Sequence, residues 1–239
     1  ENAFNGMINY FKKIGKDHEC YIIAEIGSNF DGSLTKAKKL IRLAKDCGAD
    51  AAKFQSFKTE LLLSKKGFES KSAFQSKWKK SVWNTYKEAE FPRTWHKILN
   101  DYAKKIDIDF FTSPWDFEAV DLLCKLNVPA IKIGSGDITY LDFLEYVGKT
   151  KKPILLATGA SNMKEVEMAV KTIKSTGNNK IILMHSVVQY PSPIEEANLK
   201  SVETLMKKFS LNVGYSDHSL GTLIPYASVF LGASVIEKH

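Results

Sequence analysis

Two histidines near the end of the sequence, His218 and His239, occupy positions where metal chemistry could be done. Each follows a short apolar run, 211–215 and 233–236, so each is expected at the tip of a buried strand. Neutral imidazole is a common ligand of divalent metal ions, and histidines on consecutive strands could share one ion. Taken alone, the two residues are better explained as a capping residue and as the last residue of the sequence. The rest of the sequence changes that balance.

Six further apolar runs also end in polar residues. A single polar residue at a strand end normally forms a turn or caps a helix. Eight polar tips, several of them charged, are harder to explain in that way. The candidate site residues at these tips are Glu25, Lys53, Gln55, Ser113, Lys132, Ser135, Asp137, Thr158, Tyr190, Ser216, His218, Glu237 and His239.

Two of the lysines, Lys53 and Lys132, lie inside apolar strands, where an unpaired ammonium group is costly. Glu25 and Glu237 could pair with them, which would be a purely structural role. The phosphate and the carboxylate of a bound ligand could also pair with them. Serine hydroxyls at neighbouring tips and the glycine-rich backbone at 134–136 add donors that suit a phosphate.

The same two lysines leave a second chemistry open. Lys53 or Lys132 could form a Schiff base, as in barrel aldolases, if each ammonium lowered the pKa of the other. The paired histidines argue against this alternative, because imine aldolases need no metal.

The elements that must position these tips follow one repeating pattern, an apolar run, a polar tip and an amphipathic helix. Continuous apolar runs separated by helices are typical of parallel strands buried on both faces. Eight strands alternating with seven helices predict an α/β protein with a (β/α)8 TIM barrel that lacks its last helix. A doubly wound open sheet is the alternative, although no Gly-x-Gly-x-x-Gly follows the first strand. The predicted strands are 20–24, 51–54, 109–111, 130–133, 154–157, 181–184, 211–215 and 233–236, and the clearest helices are 33–47, 116–126, 141–147, 163–173, 199–209 and 221–231.

Two segments interrupt the repeat. Residues 1–19 precede the first strand and are expected to cap the bottom of a barrel domain spanning 20–239. Residues 56–92 form a long insertion after the second strand. Because it leaves the carboxyl end of a strand, the insertion is expected to lie over the barrel mouth, where barrel enzymes do their chemistry.

The composition is that of an ordinary globular protein, with 239 residues of which 44% are apolar and 26% charged. The net charge of +7 comes partly from lysines within 64–80, and a solvated loop explains them better than nucleic-acid binding, since no such motif accompanies them. Three cysteines without paired spacing indicate free thiols. No apolar run approaches the roughly 18 residues that span a bilayer, and no signal peptide is recognised. A cytoplasmic protein is therefore expected, without nucleic-acid or membrane partners.

The strand tips together resemble the sialic acid synthase (N-acetylneuraminate synthase) family and its legionaminic and pseudaminic acid relatives. The most specific motifs are Gly-Tyr-Ser-Asp-His at 214–218 and Ile-Glu-Lys-His at 236–239. The other matching segments are 21–29, 52–55, 111–114, 131–137, 157–159 and 190–193.

The resemblance implies an enzyme that condenses phosphoenolpyruvate with an N-acyl amino sugar and releases phosphate. It implies a divalent metal ion, Mn²⁺ or Mg²⁺, on His218 and His239. It also assigns phosphoenolpyruvate to Lys53, Lys132 and neighbouring hydroxyls. That set of hydroxyls is Ser113, Ser216 and, nearby, Thr158. The resemblance further implies that the part of the site that binds the sugar and the metal is lined by Glu25, Gln55, Asp137, Tyr190 and Glu237.

Three positions depart from the family pattern. Phe30 replaces the usual histidine and cannot hydrogen-bond, Val188 stands where a polar residue is frequent, and Asp137 is shorter than the common glutamate. These departures leave the acceptor sugar open. A non-catalytic, sugar-phosphate-binding barrel is also left open, because the family's C-terminal antifreeze-like domain is absent from the sequence. The resemblance further implies a homodimer for the full-length protein.

Overall fold

The computed structural model describes residues 14–15, 17–69 and 79–239, and it is built around one parallel sheet. The strand order is β3-β2-β1-β8-β7-β6-β5-β4, and β3 and β4, at the two ends of this order, also lie against each other. The sheet therefore forms a barrel, which confirms the predicted TIM-barrel class and excludes the open doubly wound sheet. The strands are β1 (Tyr21–Gly27), β2 (Ala51–Ser56), β3 (Asp109–Pro114), β4 (Ile131–Ile133), β5 (Ile154–Ala157), β6 (Ile181–Ser186), β7 (Asn212–Asp217) and β8 (Val235–Lys238).

Helices alternate with these strands, and their boundaries follow capping residues in the sequence. Asp116 caps the helix after β3 by accepting a hydrogen bond of 2.8 Å from the N–H of Ala119. Asn162 and Glu165 form a reciprocal capping box at the start of the helix after β5. The helices are α1 (Leu34–Asp46), α2 (Thr59–Leu62), α3 (Lys65–Phe68), α4 (Val82–Ala89), α5 (Trp95–Lys105), α6 (Phe117–Lys125), α7 (Leu141–Lys149), α8 (Met163–Ser175), α9 (Lys200–Phe209) and α10 (Leu223–Phe230).

The apolar core lies on both sides of the barrel wall, since continuous apolar strands bury side chains on both faces. The wall itself is tightly packed at Gly214 in β7. A Cβ atom there would lie 2.5 Å from the carbonyl oxygen of Val235 and 2.6 Å from the sulfur of Met184. The glycine therefore lets β7 sit between β6 and β8 at the point where the Gly-Tyr-Ser-Asp-His motif begins.

The two segments outside the repeat are described only in part. The expectation for residues 1–19 falls mostly outside the described residues. Ile14, however, is buried, and its carbonyl oxygen accepts a hydrogen bond of 3.5 Å from Asn212 at the amino end of β7. In the insertion, α2 and α4 are described and residues 70–78 are not. Tyr86 of α4 reaches the cavity at the carboxyl ends of the strands, as predicted for a segment over the mouth.

None of the helices formed by residues 14–15, 17–69 and 79–239 is both long and apolar enough to cross a bilayer.

Candidate active site

A cavity of about 480 Å³ lies at the carboxyl ends of the strands, where barrel enzymes place their active sites. Twelve of the thirteen candidate site residues line it, although they come from seven different strands or the loops that follow them. These twelve are Glu25, Lys53, Gln55, Ser113, Lys132, Ser135, Asp137, Tyr190, Ser216, His218, Glu237 and His239. The structure thus brings together side chains that lie up to 214 positions apart in the sequence.

The floor of the cavity is a buried network of two lysines and two glutamates. Lys53 contacts Glu25, its register partner on β1, and lies 3.6 Å from Glu237. Lys132 reaches the other oxygen of Glu237 at 2.7 Å. None of these four side chains is more than 5% exposed. The lysines inside apolar strands are therefore compensated by carboxylates, which is the condition that burial imposes on a charge.

The pKa shifts in this network show which groups hold their charge most firmly. Burial alone would raise the pKa of Glu237, but the ammonium groups of Lys132 and Lys53 outweigh it and lower that pKa below the ordinary range. Burial raises the pKa of Glu25, although Lys53 opposes the shift. Burial also lowers the pKa of Lys132. Burial opposes the charge of Lys53 in the same way, but Glu237 and Glu25 together outweigh it and raise the pKa of that lysine. Glu237 is thus a fixed anion, and Glu25 is the carboxyl group better able to hold a proton.

Hydroxyl groups surround the lysines. Ser113 accepts a hydrogen bond of 3.3 Å from the ammonium of Lys53, and Ser216 donates one of 2.8 Å to Glu237. After β4, the hydroxyl of Ser135 accepts a hydrogen bond of 3.1 Å from the backbone N–H of Gly159. A Cβ atom at Gly159 would lie 2.7 Å from the Ser135 hydroxyl, so only glycine allows this approach. Ammonium, hydroxyl and backbone donors at one place can hold an anion such as a phosphate.

The imidazoles of His218 and His239 meet edge to face, with their ring centroids 4.1 Å apart. Nδ1 of His218 lies 2.6 Å from the carbonyl oxygen of Val187, and Nδ1 of His239 lies 3.0 Å from that of Asp217. Each Nδ1 must carry the proton to make these contacts, so each Nε2 keeps a lone pair. Burial lowers the pKa of His218, and it lowers that of His239 to about 3. Both rings are therefore neutral near pH 7.

His218 and His239 together offer two Nε2 lone pairs to a divalent metal ion. Across the described parts of the chain, no group of three or more His, Cys, Asp or Glu side chains is arranged to hold a metal. Two neutral imidazoles with Nε2 lone pairs and with Nδ1 atoms fixed by carbonyl groups are nevertheless what metal-binding histidines require. Oε1 of Glu237 lies 3.9 Å from Nε2 of His239. The residues fit a divalent ion that completes its coordination with water or substrate.

Asp137 stands apart from the charged floor, in the short 3₁₀ helix Ser135–Asp137. Burial raises its pKa to about 6, and a hydrogen bond from the indole of Trp115 opposes the shift. Its Oδ2 atom is buried and has no hydrogen-bond partner. A buried acceptor left open at the cavity wall is suited to a donor group of a substrate.

Thr158 is the candidate residue that does not line this cavity. It lines a neighbouring cavity of about 290 Å³, and Ser186 lies on the wall between the two. The Oγ1 atom of Thr158 donates to the carbonyl oxygen of Met184 at 3.4 Å, which turns the side chain toward β6. Its predicted contact with a ligand remains a prediction.

Sequence reasoning missed a buried polar cluster behind β2 and β3. His96 of α5 is fully buried and contacts the hydroxyl of Ser56, which lies 2.8 Å from that of Thr112. This cluster ties α5 to the residues that adjoin Gln55 and Ser113 at the strand tips. The sequence signal for this cluster is that His96 lies three residues before Leu99, which puts both residues on the buried side of α5.

The sequence matches the NeuB family over residues 40–239, which is most of the chain. The chain belongs to the NeuB family. This confirms the predicted resemblance, because that family contains the synthases whose strand-tip motifs the sequence shares.

Individual NeuB relatives agree with this assignment. An uncharacterized protein of Methanocaldococcus jannaschii is 45% identical over 95% of the chain and 63% of its own length. An N,N'-diacetyllegionaminic acid synthase of Campylobacter jejuni is 44% identical over 91% of the chain and 66% of its own length. The crystal structure of an N-acetylneuraminic acid synthetase from Leptospira borgpetersenii superposes with a TM-score of 0.85, at 34% identity, over 95% of this chain and 74% of that one. The chain spans about two thirds of the length of the two curated relatives.

Two departures from the family pattern have a structural account. Phe30 is fully buried in an aromatic cluster, with its ring centroid 5.6 Å from those of Phe91 and Trp95. It packs as part of the apolar core. Val188 is half-exposed at the rim of the cavity, with its Cγ2 atom against Gly159.

Proposed function

We propose that this NeuB chain condenses phosphoenolpyruvate with the open-chain aldehyde of an N-acyl amino sugar of the N-acetylmannosamine type. The products are a sialic acid-type nonulosonate and inorganic phosphate. The single observation that supports this proposal is the meeting, in one cavity, of the Lys53–Lys132 pair with the His218–His239 pair. The first pair suits a doubly anionic substrate, and the second suits a metal-bound carbonyl compound.

The donor substrate is assigned to the floor of the cavity. Lys53 and Lys132 would bind its phosphate and carboxylate, with hydroxyl donors from Ser113, Ser216 and Ser135. Because the folded protein already holds these charged and polar groups in place, they need little reorganisation when charge develops during the reaction. Lysine is suited to this role, since a compact ammonium group interacts with a phosphate as a point charge.

The acceptor sugar is assigned to the side of the imidazoles. His218 and His239 would hold a divalent ion, Mn²⁺ or Mg²⁺, and such an ion polarises a carbonyl group as a Lewis acid. Gln55 and Asp137 line the same cavity, and Tyr190 stacks beside His218 with a centroid distance of 4.0 Å. These three side chains would orient the hydroxyl and acylamino groups of the sugar.

The proposed condensation forms one C–C bond and releases phosphate. C3 of phosphoenolpyruvate forms a bond with the aldehyde carbon, and the aldehyde oxygen takes up a proton to become a hydroxyl. The C2=C3 double bond is consumed in this step, and water adds at C2 and loses one proton. The new C2 hydroxyl loses its proton as the C–O bond to phosphate breaks, so C2 becomes a ketone and the phosphate leaves with the bridging oxygen. Glu25 is the carboxyl group best suited to move the proton of this water, because burial raises its pKa while Glu237 is a fixed anion.

A second candidate function is supported by one observation. Burial lowers the pKa of Lys132, which is what a Schiff-base lysine needs. Its ion pair with Glu237 at 2.7 Å favours the protonated, non-nucleophilic amine instead. Borohydride reduction in the presence of substrates separates the two functions, because the aldolase would leave a labelled lysine and the synthase would not.

The proposal is tested by measuring phosphate release from phosphoenolpyruvate with a panel of N-acyl amino sugars and added Mn²⁺. Release that requires one of the sugars supports the synthase. Binding of the substrates without release would instead support a non-catalytic, sugar-phosphate-binding barrel. We also propose that the full-length protein is a homodimer, as the family resemblance implies, and light scattering on that protein tests it.

A further inference from the structure

The tips of β7 and β8 are joined by an ion pair that the proposed chemistry does not use. Asp217 and Lys238 are register partners, and the Nζ atom of Lys238 lies 2.7 Å from Oδ2 of Asp217. Asp217 is fully buried. Ser219 donates its N–H and its hydroxyl to Oδ1 of the same carboxylate, at 3.1 and 2.7 Å. Both carboxylate oxygens are therefore satisfied, and the carboxylate has one well-defined position.

Lys238 also contacts the residues on both sides of His218, the side chain of Asp217 and the backbone of Ser219. The same Nζ atom donates to the carbonyl oxygen of Ser219 at 2.6 Å. The ammonium group thus contacts Asp217, which precedes His218, and Ser219, which follows it. A histidine whose two neighbours contact one ammonium group has little freedom to shift along or away from the strand tip.

The other imidazole is tied to the same point. Lys238 directly precedes His239 in the sequence. The backbone N–H and Nδ1 of His239 lie 3.2 and 3.0 Å from the carbonyl oxygen of Asp217. The residues flanking both imidazoles therefore belong to one closed set of contacts among Asp217, Ser219 and Lys238.

Lys238 does not line the cavity. Glu237 lines the cavity, and because successive side chains of a strand point to opposite faces, Lys238 points to the other side of the barrel wall. Its side chain is 31% exposed there. Any effect of this lysine on the site must therefore act through the residues it holds.

We infer that Lys238 and Asp217 are positioning residues that set the spacing and orientation of the His218 and His239 imidazoles for one divalent ion. This inference rests on the metal centre of the proposed function. Residues that orient metal ligands typically contribute about 10–100-fold to metal affinity. Fixing two ligands before the ion arrives also lowers the entropy lost on binding.

The test is titration of the chain with Mn²⁺ by isothermal titration calorimetry, alongside the melting temperature of the metal-free protein. Lys238→Met, which keeps the length of the side chain but not its charge, is expected to bind Mn²⁺ about 10–100-fold more weakly. Lys238→Arg is expected to restore most of the affinity. Lys208→Met is the matched control, because Lys208 forms an ion pair of 2.5 Å with Glu167 on the surface, away from the cavity.

A double-variant cycle keeps the test independent of folding. Asp217→Asn removes the charge while leaving an oxygen for Ser219, and we expect a loss of affinity similar to that of Lys238→Met. If the two residues act as a unit, the double variant loses no more than either single variant. Additive losses, or wild-type Mn²⁺ affinity in Lys238→Met, would overturn the positioning role alone. A wild-type chain that binds no Mn²⁺ would overturn the metal centre and, with it, this inference.

Discussion

The Nζ atom of Lys132 lies 2.7 Å from the Oε1 atom of Glu237, and neither side chain is more than 5% exposed. Glu237 also contacts Lys53 at 3.6 Å and accepts the hydroxyl of Ser216 at 2.8 Å. One carboxylate thus contacts two ammonium groups, which come from β2 and β4 on either side of β3. The charge balance of the cavity floor depends on this residue more than on any other in the network.

The variant Glu237→Gln tests that dependence. It leaves two buried ammonium groups with the Glu25 carboxylate alone, and removal of one partner from a buried ion pair typically costs about 3–5 kcal/mol. We expect a lower free energy of unfolding in urea and a loss of phosphate release. Glu145→Gln is the control, because its pair with Lys149 is exposed and such pairs contribute only about 0–1 kcal/mol. Equal effects of the two substitutions would contradict the account.

Lys132 should matter for the reaction more than for folding. Lys132→Met removes a preorganised cation, and the loss of one such group typically lowers kcat by about 10²–10³-fold. It also leaves Glu237 with Lys53 and the hydroxyl of Ser216 as partners, so we expect a smaller loss of stability than in Glu237→Gln. The measurement is steady-state phosphate release as a function of phosphoenolpyruvate concentration, with Lys149→Met as the surface control. A variant with the wild-type kcat and KM would remove Lys132 from the site.

His96 should make stability fall in mild acid. Burial lowers its pKa from 6.5 in the unfolded chain to about 4 in the fold. Between these values the unfolded chain binds the extra proton, so the free energy of unfolding decreases as the pH falls from 6.5 toward 4. The full effect is about 3 kcal/mol. In urea titrations, His96→Gln should show a shallower pH dependence than the wild type. An unchanged slope in this variant would contradict the burial of a neutral imidazole at position 96.

Asp137 should contribute to the pH dependence of the reaction. Burial raises its pKa to about 6, so its accepting, ionised form is lost as the pH falls below that value. We expect kcat/KM of the wild type to decline as the pH falls below about 6. Asp137→Asn is expected to have a lower kcat/KM that lacks this decline. Because a substrate phosphate also titrates near pH 6, the difference between the two profiles is the informative quantity. Parallel profiles would show that Asp137 does not titrate in the reaction.

Much of the fold follows from the sequence. All eight apolar runs are strands, and in most of them the structure extends the strand through the polar tip, as in β2, which ends at Ser56, and β6, which ends at Ser186. Alternation of runs and helices predicts the barrel because each strand needs apolar cover on both faces. The convergence of distant tips on one cavity followed from this topology. The pairing of Lys53 and Lys132 with Glu25 and Glu237 followed from the cost of buried charge.

The rest depends on side chains whose partners are set by three-dimensional packing. Lys238 and Asp217 lie in the motifs that carry the family resemblance, yet their pairing is fixed by the register of β7 and β8, which the sequence does not specify. His96 reaches Ser56 only because α5 packs behind β2 and β3. Thr158 occupies a strand tip like the others, but its hydroxyl turns toward the carbonyl of Met184 and away from the main cavity.

The most direct test of the account follows the oxygen atom that bridges C2 and phosphorus in phosphoenolpyruvate. The substrate is labelled with ¹⁸O at that position and incubated with the chain, Mn²⁺ and an accepted amino sugar. Addition of water at C2 followed by C–O cleavage predicts one sugar acid per phosphate, with the label in the phosphate. Label retained in the organic product, or phosphate released without a sugar acid, would contradict condensation in this cavity.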